Sequence, residues 1–199
     1  MSVERLSVGG LKKIAIYGGT FDPIHHAHLI LAREAMETLD LDKVILVPAA
    51  ISPLKKAAPI ASGEVRLAML QAAIKGEPKF EVDECELLRP PPSYTIDTVE
   101  GIRRRERDAS IYCLIGEDNV EQLPRWHRFA ELEKMVRFVV LDRTGKQPSH
   151  SYQLIHRPID ISATEIRRRI AQNESIRYLV PESVEEIIKR ENLYREQSQ

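Results

Sequence analysis

The most informative part of the sequence is Ile14-Ala-Ile-Tyr-Gly-Gly-Thr-Phe-Asp-Pro-Ile-His-His-Ala-His28. Its first four residues are apolar and predict a short strand that is buried on both faces. Two glycines follow at once, and without a Cβ they allow a tight turn and a close approach of the backbone to a ligand. An Asp-Pro pair punctuates the loop, and from His26 apolar residues recur at helical spacing. We therefore predict a strand, a glycine turn and a helix that covers about 26–39.

This arrangement predicts an anion site at the start of the helix. The free N–H groups of the first helical turn and the positive end of the helix dipole point to the same place over the loop. His25 and His28 are three residues apart, so in a first helical turn both imidazoles project toward that place. Two histidines at this spacing also bind zinc in other proteins, but no third ligand is apparent nearby in the sequence. We therefore expect the imidazoles to face an anion rather than a metal.

Composition and charge narrow the class of protein. The chain has 199 residues, of which 43% are hydrophobic and 30% charged, as in an ordinary soluble globular protein. Its net charge of −1 gives no electrostatic reason to expect nucleic acid as a partner. No apolar run approaches the ~18 residues of a membrane span, and the N-terminus lacks the apolar segment of a secretion signal. We expect a cytoplasmic protein in which Cys85 and Cys113 are buried free thiols.

The pattern along the chain predicts a single domain over residues 12–193, with a flexible leader at 1–11 and a tail at 194–199. Short apolar runs alternate in it with helical patterns of ten or so residues. The predicted strands lie at about 43–48, 80–83, 111–115 and 137–141, and the predicted helices at about 62–75, 95–107, 163–171 and 181–191.

Such alternation is typical of an α/β protein. It predicts a Rossmann-like nucleotide-binding fold with a central parallel sheet, covered on both sides, and a small helical C-terminal portion. Ligands of such sheets bind beyond the carboxyl ends of the strands, where the strand order reverses. Residues 18–28, 49–55 and 116–126 all follow predicted strands. We therefore expect these three segments to converge on one crevice.

Residues 161–167, Ile-Ser-Ala-Thr-Glu-Ile-Arg, predict a second helix start. Ser162 is a good N-cap, and Glu165 three residues later completes a capping box by spacing. Ser162, Thr164 and Arg167 would also offer hydroxyls, free N–H groups and a guanidinium to an anion. The residues alone leave both interpretations open, a helix cap and nothing more or a second anion site.

Both stretches resemble signatures of the nucleotidylyltransferase superfamily, whose members join a nucleoside triphosphate to a phosphorylated partner and release pyrophosphate. Residues 19–28 are similar to its G-x-F-D-x-x-H-x-x-H signature, and residues 161–167 to its I-S-x-T-x-I-R motif. The spacing at 14–28 is not that of the dinucleotide G-x-G-x-x-G loop or of the P-loop. The family usually has glycine where this chain has Ala27, which affects how closely a substrate can approach the backbone.

Three further stretches narrow the resemblance to the bacterial nicotinate-nucleotide adenylyltransferases. They are Ser93-Tyr-Thr-Ile-Asp-Thr98, Gly116-Glu-Asp118 and Leu123-Pro-Arg-Trp126, and the loop from Pro48 to Lys55 also fits. The resemblance implies transfer of the adenylyl group from ATP, with Mg²⁺, to nicotinate mononucleotide. It implies His25, His28 and Arg167 as catalytic residues, an ATP site with Gly18, Gly19, Thr20, Phe21, His25, His28, Gly116, Asp118, Ser162, Thr164 and Arg167, and a mononucleotide site with Thr20, Lys55, Thr95, Asp118 and Trp126.

Several alternatives stay open at this point. A lone tryptophan such as Trp126 is usually a core residue, and Thr95 could serve as a helix N-cap. Recognition of a pyridine carboxylate needs N–H donors, so we expect the acidic side chains between residues 117 and 126 to turn away from it. Related activities on the same motifs are adenylyl transfer to nicotinamide mononucleotide or to pantetheine phosphate. A non-catalytic nucleotide-binding regulator on the same fold is the alternative of another class.

Overall fold

The first apolar run forms the central strand of a parallel sheet, and a computed structural model describes this fold for residues 11–51, 58–145 and 150–195. Within these ranges all strand pairs are parallel. The strands are β1 Lys13–Gly19, β2 Lys43–Pro48, β3 Phe80–Val82, β4 Ser110–Gly116, β5 Arg137–Asp142 and β6 Gln153–His156. The helices are α1 His26–Leu39, α2 Gly63–Ala73, α3 Thr95–Arg105, α4 Phe129–Met135, α5 Ala163–Ala171 and α6 Glu182–Arg190, with a 3₁₀ helix at Glu117–Arg125.

The strand order places a crevice beside β1. The sheet runs β3-β2-β1-β4-β5-β6, so the chain moves outward from β1 in one direction and then returns to its other side. Neighbouring loops after β1 and β4 therefore diverge to opposite faces, and the gap between them is the usual ligand position in such sheets. The fold class that the sequence predicts is confirmed.

Helices cover both faces of the sheet, as the apolar strand predicts. Along β1, Ala15 and Tyr17 face one core cluster, while Ile14 and Ile16 face the other. All four are at most 8% exposed. The first cluster includes residues of α1, α2 and α6, and the second includes residues of α3 and α4. Burial on both faces explains why β1 has a continuous apolar run rather than an alternating pattern.

Some local predictions are wrong. The helix α4 and the edge strand β6 lie in stretches for which we predicted no element, and residues 117–125 form a 3₁₀ helix rather than a loop. Gly18 and Gly19 belong to β1 and not to a turn. The turn after this strand lies at residues 22–23, an Asp-Pro pair. Cys113 is buried as expected, but Cys85 is only half-buried; both are free.

Two further observations concern the predicted tail and the possibility of a membrane span. Tyr194, which we placed in the tail, is only 7% exposed and packs in the first core cluster. In the part of the chain that is described, no helix has the length and apolar character needed to cross a membrane.

Candidate active site

Two adjoining cavities open beyond the carboxyl ends of the strands. The larger, of about 670 Å³, is here named the basic cavity, and the smaller, of about 380 Å³, the aromatic cavity. Both are lined by Gly18, Gly19, Thr20, Asp118 and Asn119, so they meet over the end of β1. The basic cavity adds His25, His28, Arg143, Ser162, Thr164 and Arg167. The aromatic cavity adds Glu86, Tyr94, Thr95, Thr98, Trp126 and His127.

The two histidines lie together at the start of α1. His25 is the N-cap residue in an extended conformation, and its ring stacks on that of His28 with centroids 3.7 Å apart. The backbone N–H of His25 donates to Nδ1 of His28 over 3.3 Å. Because this nitrogen accepts, the N–H of the His28 ring is carried by Nε2. The predicted convergence of the two imidazoles on one place is thus present, although His25 precedes the helix.

Burial keeps the His25 ring neutral. The side chain is 1% exposed, and this desolvation, with smaller contributions from Arg143 and His26, lowers the pKa of His25 to about 3. A neutral imidazole still has one N–H to donate to a phosphate oxygen. His25 therefore offers a hydrogen bond at neutral pH and no charge of its own.

Of the two glycines at the end of β1, only Gly19 is required by close packing. A Cβ on Gly19 would lie 2.9 Å from the Phe21 ring, whereas a Cβ on Gly18 would meet nothing within 4 Å. The left-handed conformation in this loop belongs to Phe21, with φ 49°. Its ring packs edge-on against His28, with the centroids 5.0 Å apart. Gly19 therefore makes room for Phe21, and Phe21 supports one wall of the histidine pair.

The second motif caps a helix and also reaches the first motif. Ser162 Oγ accepts from the Glu165 N–H over 3.1 Å, while the Glu165 carboxylate pairs with Arg168 at 2.7 Å. Arg167 donates from Nη1 to the Asp22 carbonyl oxygen over 2.7 Å. Its Nη2 donates to Thr164 Oγ1 over 3.3 Å. The cap and the approach to the histidine loop are both present, so the two interpretations of residues 161–167 are compatible.

Arg143 is a cation of the basic cavity that sequence reasoning missed. It follows β5 directly and donates from Nη1 to the Ile161 carbonyl oxygen over 3.0 Å, which joins it to the start of the second motif. Its positive charge helps to lower the pKa of His25. The same charge partly offsets the increase in the pKa of Tyr17 that burial causes. The available signal was its position immediately after a parallel strand, where ligand-facing residues cluster.

The wall of the aromatic cavity includes three ring side chains, Trp126, Tyr94 and His127. Trp126 is half-buried, packs edge-on against Phe138 with centroids 6.2 Å apart, and also lines the cavity. It therefore packs against the second core cluster and also forms part of the cavity wall. Tyr94, which also lines the cavity, stacks on His127 with centroids 4.3 Å apart. Sequence reasoning did not single out this second aromatic pair.

Thr95 lines the same cavity, but it is not a helix N-cap. The N-cap of α3 is Tyr94, and Thr95 is the first helical residue. A residue at this position points its backbone N–H out of the helix start, where no intrahelical acceptor exists. The proposed capping role of Thr95 is wrong, and its hydroxyl remains beside the cavity.

Carboxylates enter the aromatic cavity more closely than the sequence predicts. Glu117 does turn away, because it pairs with His150 over 3.0 Å and lines neither cavity, but Asp118 lines both. Glu86, which was not considered, is 7% exposed and accepts from Thr98 Oγ1 over 2.6 Å. Burial raises the pKa of Glu86, opposed by this hydrogen bond and by Arg89.

Gly116 leaves room for the Asp118 carboxylate. A Cβ at this glycine would lie 2.5 Å from Asp118 Oδ1, too close for any real contact. An alanine there would displace the carboxylate from the rim that the two cavities share. Lys55, the remaining predicted ligand, lies outside the described residues. In the described ranges, no group of three or more His, Cys, Asp or Glu side chains is arranged to hold a metal ion.

A sheet of this order, with two helix starts facing one crevice, defines the nucleotide-binding class of α/β proteins. The profile of the cytidylyltransferase-like family matches residues 16–169, which is most of the chain. The protein is therefore a nucleotidyltransferase, an enzyme that acts on nucleotide substrates.

Individual relatives narrow this class. A probable nicotinate-nucleotide adenylyltransferase of Methylacidiphilum infernorum is 41% identical, with 92% of each chain covered. One of Bacillus pumilus is 39% identical, covering 92% of this chain and 99% of the relative. Nicotinic acid mononucleotide adenylyltransferase of Plasmodium falciparum, solved with NaAD, has the same fold at 20% identity, with a TM-score of 0.75 over 92% of this chain and 97% of that one. The chain belongs to the nicotinate-nucleotide adenylyltransferase family.

Proposed function

We propose that this protein transfers the adenylyl group of ATP to nicotinate mononucleotide and releases pyrophosphate, a step in NAD biosynthesis. The observation that carries the proposal is the junction of the two cavities. A cavity rich in cations and N–H donors suits a triphosphate, and an adjoining aromatic cavity suits a pyridine ring. Their shared rim at Gly18–Thr20 is where a mononucleotide phosphate and the α-phosphate of ATP would meet.

The reaction needs no nucleophile from the protein. An oxygen of the mononucleotide phosphate attacks the α-phosphorus of ATP, the new phosphoanhydride bond forms, and the bond to the β-phosphate oxygen breaks. Catalysis of this kind consists mainly of positioning and of stabilising charge. The protein therefore contributes by holding the two phosphates in line at the rim of the cavities.

We assign the charge-stabilising roles to the basic cavity. His25 and His28 would donate to the α-phosphate and the leaving pyrophosphate, where negative charge increases in the transition state. Arg167 would hold the pyrophosphate, supported by the N–H groups at the start of α5 and by Ser162 and Thr164. Gly18, Gly19, Thr20 and Phe21 would shape the floor beneath the nucleotide.

The mononucleotide would occupy the aromatic cavity. Trp126 would stack on the pyridine ring, and Thr95 would hydrogen-bond its substituent. Asp118, on the shared rim, would contact the riboses, in the space that the missing Cβ of Gly116 leaves for its carboxylate. Lys55, outside the described residues, stays the expected ligand of the substrate phosphate by the family resemblance alone.

ATP would enter as its Mg²⁺ complex, in which the ion offsets phosphate charge. Such ions usually keep several waters and bind one or two carboxylates besides the phosphates. Asp118 is the carboxylate that lines both cavities, whereas the carboxylate oxygens of Asp22 accept three hydrogen bonds from the protein. The donor set therefore suits an ion that is carried mainly by the nucleotide. The free cysteines and the composition are in keeping with a cytoplasmic location.

A substrate panel tests the proposal. The purified protein is incubated with ATP, Mg²⁺ and nicotinate mononucleotide, nicotinamide mononucleotide or pantetheine phosphate, and pyrophosphate release is measured. We expect the highest kcat/KM with nicotinate mononucleotide, together with the mass of the deamido dinucleotide. A preference for the amide or for pantetheine phosphate would replace the assigned substrate, and the lack of pyrophosphate with every acceptor would favour a non-catalytic regulator.

A further inference from the structure

A buried tyrosine close to the end of the described chain contacts the loop that carries the histidines. Tyr194 is 7% exposed, and its hydroxyl donates to Oδ1 of Asp22 over 2.6 Å, across 172 residues of sequence. Asp22 is 6% exposed. None of the motifs considered above includes Tyr194, so its contact with the centre of the first motif needs its own explanation.

Asp22 joins several remote segments to the site. Its carboxylate also accepts from the backbone N–H groups of Ile60, over 2.7 Å, and Ala61, over 3.1 Å. Its carbonyl oxygen accepts from Arg167 Nη1 over 2.7 Å. The side chain of Asp22 thus fixes a backbone whose carbonyl orients the arginine of the basic cavity, three residues before His25.

A buried arginine holds the same loop from below. Arg66 is 2% exposed and donates from Nη1 to the carbonyl oxygens of Thr20 and Ala49, each over 2.8 Å. Its Nε donates to the Ala61 carbonyl oxygen over 3.2 Å. Arg66 and Asp22 therefore connect neighbouring segments through hydrogen bonds. If a buried carboxylate loses one of its donors, the carboxylate moves until another donor replaces it, because an unpaired buried charge is costly.

We propose that Tyr194 is a positioning residue for adenylyl transfer, acting through Asp22 on Arg167. This inference rests on the proposed function of the basic cavity. Tyr194 does not line either cavity, so it acts without touching the substrates. Its hydroxyl fixes the Asp22 carboxylate, and the Asp22 carbonyl in turn fixes the guanidinium that holds the leaving pyrophosphate.

The variant Tyr194→Phe keeps the buried ring and removes only the hydroxyl. We expect kcat to fall about tenfold, less than the ~100-fold that a misplacement of 1 Å can cost. The KM for nicotinate mononucleotide should stay unchanged, because the aromatic cavity is not held by Asp22. Tyr112→Phe is the matched control, since Tyr112 is 6% exposed, also has a hydroxyl contact and lines neither cavity. It should keep the wild-type kcat.

A double-mutant cycle distinguishes positioning from a general loss of stability. If Tyr194 acts through Arg167, Tyr194→Phe should lower kcat by less than about twofold in an Arg167→Ala background. Full multiplication of the two effects, a wild-type kcat for Tyr194→Phe, or a variant that has lost its folded structure would each overturn the proposal. ATP binding measured by calorimetry without an acceptor should weaken severalfold in Tyr194→Phe. That result does not depend on turnover, so it separates this proposal from a failure of the assigned reaction.

Discussion

The two cavities share a rim and differ in the kind of side chain that lines them. The basic cavity draws its cations from segments far apart in sequence, since Arg143 and Arg167 join a histidine pair at the start of α1. The aromatic cavity is lined by rings and by the buried carboxylate of Glu86. The first is suited to highly charged groups whose charge changes during reaction. The second is suited to a flat ring that stays chemically unchanged.

This difference separates catalysis from binding in physical terms. Interactions that strengthen as charge develops lower the barrier and raise kcat. Interactions with a ring that does not react are equal in the ground state and the transition state, so their loss raises KM instead. Substitutions in the basic cavity should therefore lower kcat, with ATP affinity also weakened where a charged contact is lost, and substitutions in the aromatic cavity should raise mainly the KM of the mononucleotide.

His28 gives the largest expected effect. His28→Ala should lower kcat by about 10²–10³, the usual cost of losing one well-placed donor to a developing charge. Steady-state kinetics at saturating ATP and mononucleotide measures it, with circular dichroism to verify that the variant is folded. A near-normal kcat would remove the basis for placing catalysis in the basic cavity.

Arg167 separates helix capping from phosphate binding. Arg167→Ala leaves the Ser162–Glu165 cap intact and removes a hydrogen bond to the Asp22 carbonyl oxygen, so the melting temperature should fall by only about 2–4 °C. ATP affinity, measured by calorimetry, should weaken by roughly 1.5–3 kcal/mol for the loss of a charge-assisted contact. Arg168→Ala is the matched control on the same helix, because Arg168 pairs with Glu165 and lines neither cavity. A lower melting temperature with unchanged ATP affinity would mean that Arg167 is structural.

The neutral state of His25 makes stability depend on pH. Its pKa is lowered from 6.5 to about 3 in the folded protein, so the unfolded chain binds a proton first as the pH falls. From about pH 6.5 downward, uptake of this proton by the unfolded chain progressively lowers the unfolding free energy. The slope reaches about 1.4 kcal/mol per pH unit, and the loss is roughly 2 kcal/mol at pH 5. Denaturant unfolding between pH 8 and pH 4.5 measures this slope.

The variant His25→Asn provides the comparison for that slope. Its unfolding free energy should fall less steeply than that of the wild type below pH 6.5, and the two curves should run parallel above pH 7.5. Equal slopes over the acidic range would show that His25 takes up a proton in the folded protein as easily as in the unfolded chain.

Trp126 gives the smallest expected effect on discrimination. Stacking serves the acid and the amide about equally, so Trp126→Ala should raise KM for both mononucleotides and leave the ratio of their kcat/KM values nearly unchanged. Steady-state kinetics with both acceptors tests this. A ratio that collapses in the variant would assign acid recognition to the indole ring itself, and a preserved KM would place the pyridine elsewhere.

The sequence predicts the loops that follow the strands better than the residues that join the site through tertiary contacts. Apolar runs that are buried on both faces identify the parallel strands, and the loops after them must share one edge of the sheet. The histidine loop could therefore be placed at the ligand edge from the residues alone, whereas the family resemblance was needed to place Arg167 beside it. Short amphipathic segments such as β6 and α4 have a weaker pattern, because an edge strand is covered on fewer sides.

The residues that sequence reasoning missed depend on tertiary contacts. Arg143 becomes part of the site because β5 ends beside the second motif. Glu86 lines the aromatic cavity and accepts a hydrogen bond from Thr98, twelve residues away. Tyr194 reaches Asp22 across almost the whole chain. No local spacing encodes any of these distances, so patterns of period 2 or 3.6 cannot identify them.

The distance in sequence between Asp22 and Tyr194 has a consequence for protein synthesis. The ribosome completes the histidine loop early, while the arginine that faces it follows 145 residues after Asp22 and the tyrosine that secures it 172 residues after. Contacts of such long range form late, since the loop between them must close first. A nascent chain that has not yet reached Tyr194 would thus expose an incomplete anion site. Its capacity for turnover would stay below that of the chain in which this contact has formed.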